Sequence, residues 1–167
     1  MRKYSPGPPD SMVLKVTGAA GGLLLILLAL AGGLTRLPMP AVIVLYSLSG
    51  VLALTLALGW LSRPTRYEVR SDSVAIVRLW PFSTIAIPLS GVKEVRHFKL
   101  SGAAPASLGL PWIFGYSGRF GGGELGVFLF FGTGVGEVVS IGAGETYVLS
   151  PENPKRFVRH VHDAMGK

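Results

Sequence analysis

The chain has 167 residues, a formal net charge of +7, 49% apolar residues and only 15% charged ones. An ordinary soluble domain carries about a quarter charged residues, so part of this chain belongs in an apolar medium; the length suits one small domain plus an anchor. The absence of cysteine excludes disulfides, thiolate zinc sites and cysteine nucleophiles together. The basic bias is spread out: residues 1–62 hold four Lys/Arg and one acid, residues 63–167 hold twelve and eight. A nucleic-acid groove needs a clustered basic stripe, so no nucleic-acid partner is expected.

Residues 1–15 read as a short cytoplasmic N-terminal segment. Residues 16–34 and 41–62 are uncharged runs of nineteen and twenty-two. As helices they extend about 28 and 33 Å, against a hydrocarbon core of about 30 Å. Pro38 and Pro40 between them close a tight turn, because proline cannot continue a helix. The expectation is a transmembrane helical hairpin. Arg2, Lys3 and Lys15 precede it and Arg63, Arg66 and Arg70 follow it, while the turn holds only Arg36. The positive-inside rule then places both ends in the cytoplasm, making this an integral membrane protein whose first partner is the lipid bilayer. A competing reading takes the basic start and Ala29-Leu30-Ala31 as a signal peptide with its cleavage site. The apolar run continues past that point to Leu34, and the second span would still leave the following domain cytoplasmic. Trp60 suits an interfacial position. Gly18 and Gly22 in the first span, and Ser49, Ala53 and Ala57 in the second, stand at helical spacing; such small residues favour close helix contact and suit self-association. Neither span contains an acid, histidine or lysine, so no proton or ion pathway is expected.

Beyond Pro64 the pattern becomes alternating. Strands are expected around 67–70, 74–80, 84–89, 92–98, 127–131, 137–141 and 146–149, separated by turn residues such as Ser71-Asp72 and Gly142-Ala143-Gly144. A helix should close the chain, with Asn153 as its N-cap and Pro154 at its first position. Phe157, Val158, Val161 and Met165 fall on one face of it. The expected fold is therefore a membrane protein of α+β class. Two transmembrane helices (16–34 and 41–62) precede residues 63–167, a seven-stranded antiparallel barrel or sandwich capped by a C-terminal α-helix.

Four stretches carry a resemblance: "RPTRYEVRSDSVAIVR", "IPLSGVKEVR", "LPWIFGYSGRFGGGELGVF" and "TYVLSPENPKRFV". Over residues 63–165 the chain resembles the bacterial pleckstrin-homology (PH) domain family of membrane proteins. In that family the domain commonly follows two transmembrane helices. The resemblance implies a PH-like fold and a membrane setting, but no catalytic residues. The run Gly121-Gly122-Gly123 departs from it by loosening the central loop. PH domains that hold phosphoinositides usually cluster Lys/Arg in the first hairpin, whereas here Arg70-Ser71-Asp72-Ser73 is followed only by Arg78. Specific inositol-phosphate binding is not expected.

No constellation for chemistry emerges, so no catalytic residue, cofactor, metal or small-molecule substrate is expected and the chain reads as non-enzymatic. Gly121, Gly123 and Gly126 form a G-x-G-x-x-G. A dinucleotide fingerprint must open a helix, and this one opens a strand. His160 and His162 point about 200° apart on a helix and cannot share a metal. His97 has no acidic orienter nearby in sequence. Residues 110–128 hold Trp112, Phe114, Tyr116 and Phe120 interleaved with small residues, and one cation, Arg119. Packing onto the barrel is the first expectation for these aromatics; a docking patch for a partner or the membrane is the second. Arg63 and Arg66 are the candidates for electrostatic contact with the bilayer surface. The functional expectation is a membrane-anchored interaction module that binds a protein partner or self-assembles. The alternative is a lipid-binding or envelope-stress-sensing component at the membrane surface.

Overall fold

The computed structural model describes residues 1–33, 38–79, 84–100, 104–105, 113–121 and 125–166. The chain opens with strand β1 (Arg2–Tyr4), an element the alternation pattern did not announce. Helix α1 (Ser11–Gly33) and helix α2 (Met39–Ser62) follow and pack against each other. Both start earlier than the apolar runs. Asp10 caps α1, its Oδ1 accepting the Val13 N–H at 2.8 Å, the usual role of a short acidic side chain at a helix start. Proline occupies the first turn of α2, where its missing N–H removes no helical bond. The two helices are long and apolar enough to cross a membrane, and only 6% of each apolar window is buried. Leu25, 70% exposed, is one of many large apolar side chains with no protein to pack on. A Cβ built on Gly18 or Gly22 meets nothing within 4 Å, so these glycines are not the seam between α1 and α2.

The remainder is strand-rich. It runs through β2 (Pro64–Val69), β3 (Ser73–Arg78), β4 (Ile85–Pro88), a 3-10 turn (Leu89–Gly91), β5 (Glu94–Lys99), β6 (Ala104–Pro105), β7 (Tyr116–Gly121), β8 (Val127–Gly132), β9 (Glu137–Ala143), β10 (Glu145–Leu149) and helix α3 (Pro154–Ala164). The seven expected strands correspond to β2–β5 and β8–β10. Strand β7 carries no sequence signal of its own, since YSGRFG has no β-branched residue. It is held by pairing with β8, Phe120 lying opposite Phe128.

The seven-stranded antiparallel arrangement needs correction. Among the described residues there are two sheets, one ordered β1-β2-β3-β4 and one ordered β5-β9-β10-β8-β7-β6. The second is mixed, since β8 and β10 are parallel, with Tyr147 opposite Leu129. The reason is topological. After β8 the chain skips one position to lay down β9 beside β5, then reverses into the vacant slot as β10. Two reversals restore the original direction, so β10 runs alongside β8.

Alternation places the cores. Tyr67, Val69, Val74, Ile76, Ile87, Phe131, Val139, Ile141 and Leu149 join Phe157 and Val161 of α3 in one cluster. The intervening residues Phe128, Phe130, Val138 and Val148 belong to a second cluster with Tyr116 and Phe120. Strands β8–β10 are thus apolar on both faces, which accounts for the unbroken run Phe128-Leu129-Phe130-Phe131. Helix α3 matches expectation: Asn153 Oδ1 accepts the Arg156 N–H at 3.1 Å, and Phe157 and Val161 are buried. Strand β1 pairs antiparallel with β2, Tyr4 opposite Tyr67. The helical hairpin is therefore a long insertion between two neighbouring strands, and both of its ends return to the same domain.

Candidate functional site at the hairpin–domain junction

Residues 5–10 cross from β1 to α1 along the domain surface. Gly7 N–H donates to the Ser150 carbonyl at 2.7 Å, and Asp10 N–H to the Thr133 carbonyl at 3.2 Å. The Asp10 carboxylate does more than cap its helix. Its Oδ2 accepts the Tyr116 hydroxyl at 2.7 Å and the Val135 N–H at 3.1 Å. Three separate elements thus converge on one side chain. Val13, one turn into α1, is 2% exposed and belongs to the second core with Tyr116, Phe120 and Phe130. Val13 thus plugs the first turn of α1 into the second core, while Ser11, Met12 and Leu14 around it stay exposed.

The end of α2 is clamped from the opposite side. Phe114 has φ of 61°, a left-handed conformation that costs a non-glycine residue of order 1 kcal/mol or more. Two contacts hold it there. Its N–H donates to Thr17 Oγ1 of α1 at 3.1 Å, and its ring meets Trp60 of α2 edge-on at 5.0 Å between centroids. Gly59 makes room for this approach, because a Cβ there would stand 3.0 Å from the Ile113 side chain. Gly115 follows with φ of 141°, and a Cβ on it would stand 2.7 Å from the Gly132 carbonyl oxygen, so only glycine fits. The Arg63 guanidinium lies 3.5 Å above the Trp60 ring, a cation–π arrangement. A cleft of about 500 Å³ opens beside this joint, lined by Val13, Leu14, Thr17, Arg63, Phe114 and Thr133 among others.

The candidates from residues 110–128 therefore separate. Phe114 meets the helices, whereas Tyr116 and Phe120 are buried, the Tyr116 ring stacked on Phe130 at 4.8 Å. Arg119 lies on the exposed side of β7 and pairs with Glu145 at 3.1 Å. Trp112 lies outside the described residues, as do Gly123 of the glycine motif and Arg36 of the helical turn. Gly121 ends β7 and Gly126, with φ of 62°, leads into β8; the motif joins two strands. Of the two cations assigned to the bilayer surface, Arg63 sits at the joint, while Arg66 donates to Glu68 Oε1 at 2.8 Å. Arg70 donates to the other oxygen of the same buried carboxylate at 2.8 Å. Glu137 also comes to His97 across the β5–β9 pair, an acidic neighbour that sequence proximity did not reveal. No group of three His, Asp or Glu among the described residues is placed to hold a metal.

Electrostatics at the joint follow from these bonds. Burial opposes ionisation of Asp10, but hydrogen bonds from Val13, Tyr116, Val135 and Met12 together lower its pKa. Burial, the bond to Asp10 and that carboxylate's charge push the Tyr116 phenol well above its ordinary value. The hydrogen bond from Arg70 and then that from Arg66 lower Glu68 against the effect of burial. A carboxylate depressed in the folded state contributes stability that is present above its unfolded pKa, about 4, and lost as pH falls through the folded value. The unfolding midpoint should therefore fall as pH drops below about 4. Thermal unfolding of the detergent-solubilised chain between pH 7 and pH 3 checks this: Glu68→Gln should flatten the acid limb, and an unchanged limb would refute the assignment.

Asp10 was the readable signal that sequence reasoning passed over. An aspartate just before an apolar run marks a helix start, but its partners Tyr116 and Val135 are more than a hundred residues away. Neither a curated protein nor a solved structure matches the chain. The family model of the bacterial PH domain matches residues 65–164, which takes in β2 to α3 and leaves β1 and both helices outside. Strands in two sheets closed by a C-terminal helix, matched over more than half the chain, place this protein in the bacterial PH domain family.

Proposed function

We propose that the chain is a non-enzymatic, membrane-anchored interaction module whose PH-like domain is held at the cytoplasmic face, where it binds a protein partner or assembles with itself. The observation that carries this reading is the helical hairpin. Two membrane-length helices with 6% of their apolar windows buried leave from and return to one domain, which grips the start of α1 through Asp10 and the end of α2 through the packing of Phe114 on Trp60. Such a domain is presented at a fixed height and angle rather than on a flexible tether. The cations flanking the hairpin support a cytoplasmic orientation. The second reading, lipid binding at the membrane surface, is favoured by Arg63 and the apolar cleft beside it.

The cysteine-free sequence makes a clean topology test. Met39→Cys, at the start of α2 and 74% exposed in the native residue, should react with an impermeant maleimide on intact cells. Ser71→Cys, in the exposed β2–β3 turn, should react only after permeabilisation. The reverse pattern would overturn the orientation, and labelling of both sites on intact cells would overturn the span. Crosslinking in native membranes should then trap a specific protein or a self-assembly; finding only monomer would leave the lipid reading.

A further inference from the structure

Folding brings together two ends of the chain that composition alone shows as unrelated. Tyr4 of β1 packs edge-on against Phe157 of α3 at 5.0 Å between centroids and bonds through its hydroxyl to His160 Nδ1. Glu152 N–H donates to the Ser5 carbonyl at 3.0 Å. Between β1 and α3 lies an open groove of about 840 Å³, lined by Arg2, Lys3, Tyr4, Arg156 and His160, with Glu152 as the one lining acid. Arg2 also meets Asp163 at 3.7 Å, both more than half exposed, so that pair contributes little. Strand β1 is the terminal strand of its sheet among the described residues.

We propose that this groove is a binding site for an extended acidic segment of a partner protein, which adds to the edge of β1 away from β2 while its carboxylates meet Arg2 and Arg156, Lys3 lying on the opposite face of the strand beside Glu68. The proposal rests on the reading of the protein as an interaction module and names the chemistry of its partner. Three observations select this occupant. The groove sets Arg2 and Arg156 against one carboxylate, which is complementary to an acidic ligand. Along Arg2–Tyr4 the edge of β1 away from β2 offers main-chain groups, which a peptide can use and a lipid headgroup cannot, up to Ser5, whose carbonyl is taken by the Glu152 N–H. Arg2 lies opposite Val69, about 17 Å along β2 from Pro64 at the helix end. On our reading β2 runs away from the bilayer at the end of the hairpin; that distance then exceeds the Debye length of about 8 Å at physiological salt, and an anionic bilayer has little hold on the groove. A second copy of the chain is a poor fit, because its nine acids are scattered and none forms an acidic strand.

The test uses the full chain in nanodiscs of neutral phosphatidylcholine and a fluorescein-labelled octapeptide of alternating Glu and Val, read by anisotropy. Alternation places every carboxylate on one face of a strand. The peptide should bind, more weakly as salt rises, and the combined change Arg2→Glu and Arg156→Glu should weaken it by about tenfold or more. Both side chains are exposed, so the fold should tolerate the change. The same charge reversal at Arg96 and Lys99, exposed on β5, should leave most of the binding intact. A peptide of identical composition with its glutamates in one block should bind several-fold more weakly. No binding, equal binding of the block peptide, or equal loss at the β5 control would overturn the proposal. So would a groove variant that loses affinity only for nanodiscs containing anionic lipid. A protein crosslinked in native membranes despite such a failure would leave the interaction-module reading standing with its site elsewhere.

Discussion

Asp10→Ala should destabilise the folded chain by about 2–4 kcal/mol and loosen the hairpin from the domain. The estimate joins a lost N-cap, about 1 kcal/mol, to the about 1–3 kcal/mol incurred when a buried donor loses its acceptor. The donor in question is the Tyr116 hydroxyl; its ring is 1% exposed and stacks on Phe130. Two controls separate the effects. Tyr116→Phe removes the hydroxyl while Asp10 keeps the Val13 and Val135 N–H donors, so it should cost less than Asp10→Ala. Once the phenol is gone the second change orphans one donor fewer, so the double mutant should be milder than the sum of the singles. Asp10→Asn retains a competent cap, but its amide NH2 cannot accept from both Tyr116 and Val135. It should fall between wild type and Asp10→Ala. Denaturant midpoints in detergent, together with limited proteolysis between residues 5 and 11, measure both consequences. Strict additivity in the cycle would show that Asp10 and Tyr116 do not act together.

Phe130→Ala should cost about 3–5 kcal/mol, the usual range for removing a buried aromatic ring from a core that cannot collapse around the gap. Phe130 is 0% exposed and touches three other rings: stacked on Tyr116, edge-on to Phe120 at 5.7 Å, and tilted against Phe128 at 6.2 Å. Its loss should also free the Tyr116 ring and weaken the hold on Asp10, so the two sites should couple. Val127→Ala in the same strand is the matched control. Val127 is 65% exposed, and an exposed change away from special features stays within about 0.5 kcal/mol. Equal destabilisation by the two substitutions would refute the second core as described.

The elements that were legible in the sequence depend on local signals. The lengths of α1 and α2 follow from uncharged runs, seven strands from alternation and turn residues, and α3 from Asn153-Pro154 and its apolar stripe. The elements that were not legible lack such signals. Strand β1 is three residues long and lies before a proline-rich stretch, so nothing in Arg2-Lys3-Tyr4 marks a strand until β2 is beside it. Strand β7 has two glycines and no branched residue, and it is a strand because β8 offers it a partner. The parallel pairing of β8 with β10 follows from strand order, which leaves no trace in alternation. The aromatics of residues 110–128 could be picked out by composition, but their separation could not. Tyr116 and Phe120 turn inward because they share one face of β7, while Phe114, two residues before β7 and with a left-handed φ, is turned onto Trp60.

Read alone, the sequence determined the apolar hairpin, its likeness to the bacterial PH domain, the closing amphipathic helix and the excess of cations flanking the apolar runs. These properties are set within a helical turn or a strand's length, where periodicity, capping and charge act directly. The tertiary structure alone decided that the hairpin is an insertion between β1 and β2, that Asp10 binds Tyr116 across 106 positions, and that Arg2 and Lys3 share a groove with Arg156. Each of these depends on which distant backbone segments pair, and that choice is made by the combined burial of two cores rather than by any short stretch of residues.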